Sequence, residues 1–181
     1  CSNYFIEELI KNRTYSKMNN IIGYTSIQLH YNILKRDVEK EILPFCKRER
    51  IGVIVYGALG RGVLTNKYLY PENNDSSYKP RSTMSDLVRN DLKSIVLDTI
   101  NNLNDYSKIN MGTNIQQLAI SWVLKSDVIS SVVLGVRTKQ QMKENLNSIN
   151  LCLNNKNCKE VDKIIGNLDN YRSISLGSFI A

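Results

Sequence analysis

The chain has 181 residues, of which 42% are apolar and 23% charged, ordinary values for a globular domain with a core of its own. Lysine and arginine outnumber aspartate and glutamate by 24 to 17, a net charge of +7 that favours anionic small ligands. The excess is not gathered into a stripe: Lys35, Arg36, Asp37, Glu39, Lys40 and Glu41 alternate in sign as on a solvated helix face, which argues against nucleic acid as a partner.

Cys1 opens the chain where a strand is ending, and Ser2 and Asn3 can cap a helix over residues 5–12. Residues 26–31 alternate Ile27, Leu29 and Tyr31 against Gln28 and His30, the period-two pattern of a strand. Residues 37–48 place Val38, Ile42, Leu43, Phe45 and Cys46 at helical spacing, with acids early and bases late. The β-branched run IGVIVY at 51–56 predicts a strand buried in a parallel sheet, followed by the glycine-rich loop Gly57-Ala58-Leu59-Gly60-Arg61-Gly62. Residues 68–82, rich in proline and turn formers, predict an irregular excursion or lid. Helices are expected over 84–106 and 115–125, the second capped by Thr113 or Asn114, then a strand over 130–134 and helices over 139–149 and 159–167.

Strands alternating with helices imply a parallel sheet built from four βα units. A closed eight-fold βα barrel takes about 250 residues, so the chain fits either half of a barrel or a small open sheet. The four cysteines, Cys1, Cys46, Cys152 and Cys158, lack CxxC or Cys/His spacing, which points away from zinc and from a disulfide framework. The longest apolar run, near Val53, is too short to span a bilayer, and no signal peptide is evident. The expected setting is reduced, soluble and cytoplasmic, without membrane insertion. An opening on Cys1, in mid-motif and without methionine, predicts a fragment.

Ligands of parallel α/β folds sit at the carboxyl ends of the strands, and four clusters fall there. Ser2 and Asn3 can hydrogen-bond an amide, or serve only as a cap. Gln28 can bond a polar ring substituent, or be a satisfied buried amide. Tyr56 offers a ring for stacking or for core packing, and Gly57, Gly60 and Gly62 let a backbone approach a pyrophosphate or simply make a turn. In the fourth, Arg137, Gln141, Glu144 and Asn145 are spaced to share one helical face behind the strand-ending Gly135, which suits a phosphate. Neither GxGxxG nor GxxxxGK[ST] occurs. The only histidine, His30, has no nucleophile or carboxylate partner in the sequence and reads as structural.

Taken together, SN after a strand, SIQLHYN, RDVEKEILPFCKRERIGVIVY, GALGRGVLTNKY, QQLAISWVL and VVLGVRTKQQMKEN resemble, in order and spacing, the carboxyl-terminal half of the aldo-keto reductase family. The resemblance runs over residues 1–169, leaving 170–181 as a tail, and is nearest the branch of pyridoxal-type reductases and potassium-channel β subunits. It implies an α/β fold, the parallel (β/α)8 TIM barrel, with this chain covering about its last four βα units. It also implies an NADP(H) site. Ser2, Asn3 and Gln28 would hold the nicotinamide carboxamide, and Tyr56 would stack on the ring. Gly57, Ala58, Leu59, Gly60, Arg61 and Lys67 would line the pyrophosphate, with Arg81 reaching it from the excursion. Beyond Gly135, Arg137 and Gln141 would read the 2′-phosphate, and Glu144 and Asn145 the adenine.

The implied reaction is NADPH-dependent reduction of an aldehyde or ketone. The family's catalytic Asp, Tyr, Lys and His belong to the first four units, so no catalytic residue is assigned here, and Gly57-Ala58 replaces the family's usual Ser-Pro. A nucleotide-sensing regulatory subunit and an inactive fragment are the alternatives. Half a barrel leaves strand edges and apolar surface uncovered, so self-association or a need for the amino-terminal half is expected.

Overall fold

The computed structural model describes residues 1–65 and 94–166. Lys67, Arg81, the excursion at 68–82, the first turns of the helix expected from 84 and the tail at 170–181 lie outside the described residues. Three five-residue strands, β1 (Ser26–His30), β2 (Gly52–Tyr56) and β3 (Ile129–Val133), form a parallel sheet in sequential order. Sequential order without a reversal is that of a barrel segment, whereas a doubly wound sheet reverses at its switch point.

The fourth strand expected at the amino end is reduced to one parallel bridge between Ser2 and Gln28. Gln28 N–H donates to the Cys1 carbonyl and Asn3 N–H to the Gln28 carbonyl, both at 2.9 Å. Pairing stops there because Asn3 turns to φ +54, a left-handed conformation that asparagine tolerates better than most residues. That turn feeds α1 (Ile6–Met18), whose first turn is closed by Phe5 N–H donating to the Glu8 carboxylate at 2.8 Å. The helix outruns the expected 5–12 because its second half carries no apolar stripe to announce it. Ser16 is buried there with its hydroxyl donating to the Asn12 carbonyl.

The helix expected over 37–48 divides into a 3-10 turn at Asp37–Glu39 and α2 (Ile42–Glu49). Pro44 supplies the reason: lacking an N–H, it sits where an α-helix needs no internal donor, in the first turn. Beyond β2 come α3 (Ser94–Met111) and α4 (Ile115–Leu124), the latter capped by Asn114, which accepts from Gln117 N–H at 2.8 Å. After β3, α5 (Lys139–Leu146) ends in a 3-10 turn at Asn147–Asn150, and α6 (Asn155–Gly166) starts four residues ahead of expectation.

The sheet has two unequal faces. Ile27, Leu29, Val53 and Val55 are at most 1% exposed and join Phe45, Cys46, Leu118, Ala119 and Trp122 in one apolar core under the helices. The opposite face carries Gln28, His30, Ile54 and Tyr56, all half-buried, and the exposed Ser131 and Val133. Among the described residues, the exposed large apolar side chains other than Ile109 on α3 gather at the two margins of the sheet. Phe5, Ile10, Tyr15, Met18, Ile21 and Ile22 lie on α1 and its exit, and Val133, Val136, Met142, Leu146 and Ile149 around β3 and α5. Their placement matches a segment whose flanks are built to meet further βα units.

Glu49, at the end of α2, fastens α1 to the body. Its carboxylate accepts from Lys17 Nζ at 2.8 Å and Arg13 Nε at 2.9 Å, and its carbonyl accepts from Arg13 Nη2. Hydrogen bonds from Lys17 and then Arg13 lower this carboxyl from 4.5 to about 2. Below its ordinary value the unfolded chain takes up a proton that the folded one refuses, so the stabilisation is complete above pH 4.5 and fades toward pH 2. Glu49→Gln is therefore expected to lower the melting temperature at neutral pH and to flatten its fall between pH 4.5 and 2, measured by circular dichroism. Parallel melting curves for both proteins across that range would remove the assignment.

Candidate functional site

Strand period and register bring the expected residues together before any ligand is considered. Gln28 and His30 share the uncovered face of β1, and register places His30 beside Tyr56 and Tyr56 beside Val133, so the carboxyl ends of all three strands lie level. The bridge to Ser2 adds Ser2 and Asn3 to the same end. Ser2 Oγ lies 3.5 Å from Gln28 Oε1, and the Tyr56 hydroxyl donates to Asn3 Oδ1 at 3.2 Å. Two side-chain amides, a hydroxyl and a phenol ring thus converge at one strand end. Such a set can grip a planar carboxamide and support an aromatic ring.

The loop after β2 is tied to β1 by Asn32, which is 2% exposed. Its Oδ1 accepts from the Leu34 and Lys35 N–H groups, both at 2.9 Å, and its Nδ2 donates to the Gly57 carbonyl at 2.8 Å. The same carbonyl accepts from Gly60 N–H at 2.8 Å, which closes a tight turn. Gly57 (φ +71), Gly60, Arg61 and Gly62 all take positive φ, so the loop curls with little side-chain cover. Ala58 is 1% exposed and belongs to the core, leaving only its backbone for a ligand; Leu59 also packs against the core. Arg61 is exposed within the 3-10 turn at Gly60–Gly62.

At the end of β3, Gly135 and Arg137 are exposed, and Arg137 precedes α5 instead of lying on it. Thr138 is the N-cap, its Oγ1 accepting from Gln141 N–H at 3.1 Å, while Gln141 Oε1 accepts from Arg137 N–H at 2.8 Å. This reciprocal cap commits one end of the Gln141 amide to the backbone. Glu144 accepts from Gln140 Nε2 at 2.6 Å and its carbonyl accepts from Gln117 Nε2 at 3.0 Å. Asn145, only 8% exposed, turns toward Ile120, Leu124 and Val132 in a cleft of about 860 Å³ between α4, β3 and α5. The single helical face expected for these four residues is thus divided, because the helix starts two residues after Arg137, at Lys139, and packs Asn145 inward.

His30, read as structural from the sequence, lies inside the cluster. Its ring stacks on Tyr56 with centroids 5.1 Å apart and planes 16° from parallel. Burial first, then the positive charges of Lys35 and Arg61, holds its imidazole below the ordinary value, against a smaller opposing effect of Asp37. The signal that could have found it is its two-residue spacing from Gln28, which puts both on one face.

The family model described as "Aldo/keto reductase family" matches residues 1–166. L-glyceraldehyde 3-phosphate reductase of Escherichia coli (strain K12) is 30% identical over 76% of this chain and 40% of its own length. Aldo-keto reductase YhdN of Bacillus subtilis (strain 168) is 25% identical over 92% of this chain and 48% of its own. A rice protein (Oryza sativa subsp. japonica) described as "Probable voltage-gated potassium channel subunit beta" is 29% identical over 73% and 40%. The chain spans less than half the length of these relatives. Among the described residues no helix is long and apolar enough to cross a membrane.

Asn32 is the group whose loss should disturb the site most cheaply in atoms. Asn32→Ala strips the Gly57 carbonyl of one of its two donors and the Leu34 N–H of its acceptor, at an expected cost of about 1–3 kcal/mol in denaturant unfolding. A variant as stable as the parent would show that water replaces these bonds freely.

Proposed function

The chain belongs to the aldo/keto reductase family, and we propose that it forms the NADPH-binding part of an enzyme that reduces an aldehyde or ketone carbonyl. The observation that carries this reading is the convergence of Ser2, Asn3, Gln28 and Tyr56 at the carboxyl end of the sheet. Amide and hydroxyl groups beside an aromatic ring suit a nicotinamide, whose carboxamide both donates and accepts. The loop from Gly57 to Gly62, with Arg61 in its turn, suits a pyrophosphate that must approach backbone. Arg137, exposed beyond β3, suits a phosphate dianion on the adenosine ribose. NADPH, when bound, supplies the hydride.

The described residues of this chain orient the ligand; none of them is placed to supply the acid. Among the described residues, tyrosine hydroxyls pair with Tyr4 and Tyr24 mutually, Glu39, Asn3 and Asn157, and none is bonded to a lysine. A phenol that protonates a carbonyl oxygen needs such a neighbour to lower its pKa. We place the acid outside the described residues. The four cysteines are free, in keeping with a reduced, cytoplasmic setting. A nucleotide-sensing regulatory role is the second reading, favoured by the likeness to the rice channel-subunit protein; measurable carbonyl turnover in the whole protein decides for the enzyme.

Trp122, wholly buried, and the tyrosines supply a fluorescence signal for titration with NADPH and, in parallel, NADH. Arg137→Ala is expected to weaken NADPH binding by about 10- to 100-fold, the worth of a charge-assisted contact of about 1.5–3 kcal/mol, and to leave NADH nearly unchanged. Equal losses for both nucleotides would take the 2′-phosphate away from Arg137.

A further inference from the structure

Two observations at the carboxyl end of the sheet bear on a residue to which the family motifs assign no task. The first is steric. A Cβ built on Gly57 would lie 2.5 Å from His30 Cδ2 and 2.6 Å from Nε2, so the imidazole already fills the volume that a side chain at position 57 would enter. Gly57 also holds φ +71, where side chains are strained on their own account.

The second concerns the direction of one hydrogen. Asn32 is locked in orientation by its three other bonds, two into Oδ1 and one from Nδ2 to the Gly57 carbonyl. Its amino group therefore faces His30 Nε2, 3.5 Å away, and only an unprotonated Nε2 can face a donor without repulsion. The ring is stacked on Tyr56 at the same time. Stacking, exclusion of a side chain at 57 and a donor facing Nε2 together define one ring position and favour the neutral imidazole whose Nε2 is unprotonated.

We propose that His30 is a positioning residue of the site at the carboxyl end of the sheet: as the neutral imidazole it takes the volume of a side chain at position 57 and fixes the tilt of the Tyr56 ring on which the ligand stacks. The proposal rests on the reading of Tyr56 as a stacking platform given above. The groups that face His30 all act in one direction or are accounted for. Lys35, after β1, and Arg61, in the loop after β2, resist a third positive charge; Asp37, in the first 3-10 turn, opposes them more weakly; the Tyr56 ring from β2 stacks on the imidazole. Protonation puts two donors against each other at Nε2, pushes the ring off Tyr56 and frees the platform.

The test is carried out on the whole protein and has two arms. In the first, Gly57→Ala is made in the parent and in a His30→Ala background, and NADPH affinity is measured by fluorescence at pH 7.5. The substitution is expected to cost tenfold or more in the parent and several-fold less once the imidazole is gone. An equal cost in both backgrounds overturns the steric pairing, leaving backbone strain as the whole effect. In the second arm, NADPH affinity is followed from pH 7.5 to 5.5 for the parent and for His30→Phe, which keeps a stacking ring but cannot titrate. Protonation of the ligand's own phosphate is common to both proteins, so the difference belongs to His30. The parent is expected to lose affinity relative to His30→Phe as the pH falls; matching profiles, or a relative gain in the parent, overturn the positioning role. A parent that binds no NADPH at pH 7.5 overturns the cofactor reading instead, and the same Gly57 and His30 substitutions, compared by thermal unfolding, still decide whether the two positions share one volume.

Discussion

Ile27, Leu29, Val53 and Val55 surrender their contact with water to the helices, and strand geometry then sends Gln28, His30, Ile54 and Tyr56 to the other side. Each alternate side chain of a strand must point away from its neighbours, so the burial that stabilises the sheet also selects which residues form its uncovered face. A one-residue slip of β1 against β2 would expose Ile27 and Leu29 and bury Gln28. Burying an isoleucine or leucine is worth about 1.5–3 kcal/mol each, so register is enforced by the core and the site inherits it.

The chain leaving β1 is held by a second set of contacts, made almost wholly by charged and polar groups. The Tyr31 hydroxyl donates to Glu39 at 2.6 Å, and Arg36 grips both Glu39 oxygens while reaching Asp162 of α6 at 2.6 Å. The same guanidinium lies 4.8 Å over the Trp122 ring, with Lys125 Nζ at 4.4 Å, so α4, α6 and the β1 exit are joined through one aromatic. Among the described residues the Trp122 indole N–H is buried without a partner, a cost that the flanking cations help to offset. Burial and the hydrogen bond to Glu39 raise the Tyr31 phenol far above its ordinary range, so that tyrosine is a strut and not an acid. Asn32 follows directly and passes this rigidity to Gly57 across the sheet.

Much of this was legible in the sequence because it is local. The β-branched run ending at Tyr56, the alternation around Gln28 and the apolar stripe of Leu118, Ala119, Trp122 and Val123 each state their own period. Boundaries were less legible where a side chain overrides the pattern. Asn3 ends the first strand after one bridge through a left-handed turn, Pro44 delays α2, and α1 continues past residue 12 without any apolar stripe to announce it. The face expected to carry Arg137, Gln141, Glu144 and Asn145 together was a spacing argument. The Thr138 cap starts the helix two residues after Arg137, and packing turns Asn145 toward α4.

The sequence by itself determined the order of strands and helices, the family and the residue types available at each strand end, since propensity, period and motif spacing all act over short stretches of chain. Only the tertiary structure decided that His30 stands beside Tyr56 and that its imidazole occupies the volume a side chain at Gly57 would enter. Twenty-six intervening residues separate the two positions, and no local rule relates them. They meet because parallel pairing sets His30 beside Tyr56, and because Asn32, bonded at both ends of its amide, leaves the ring a single place to stand.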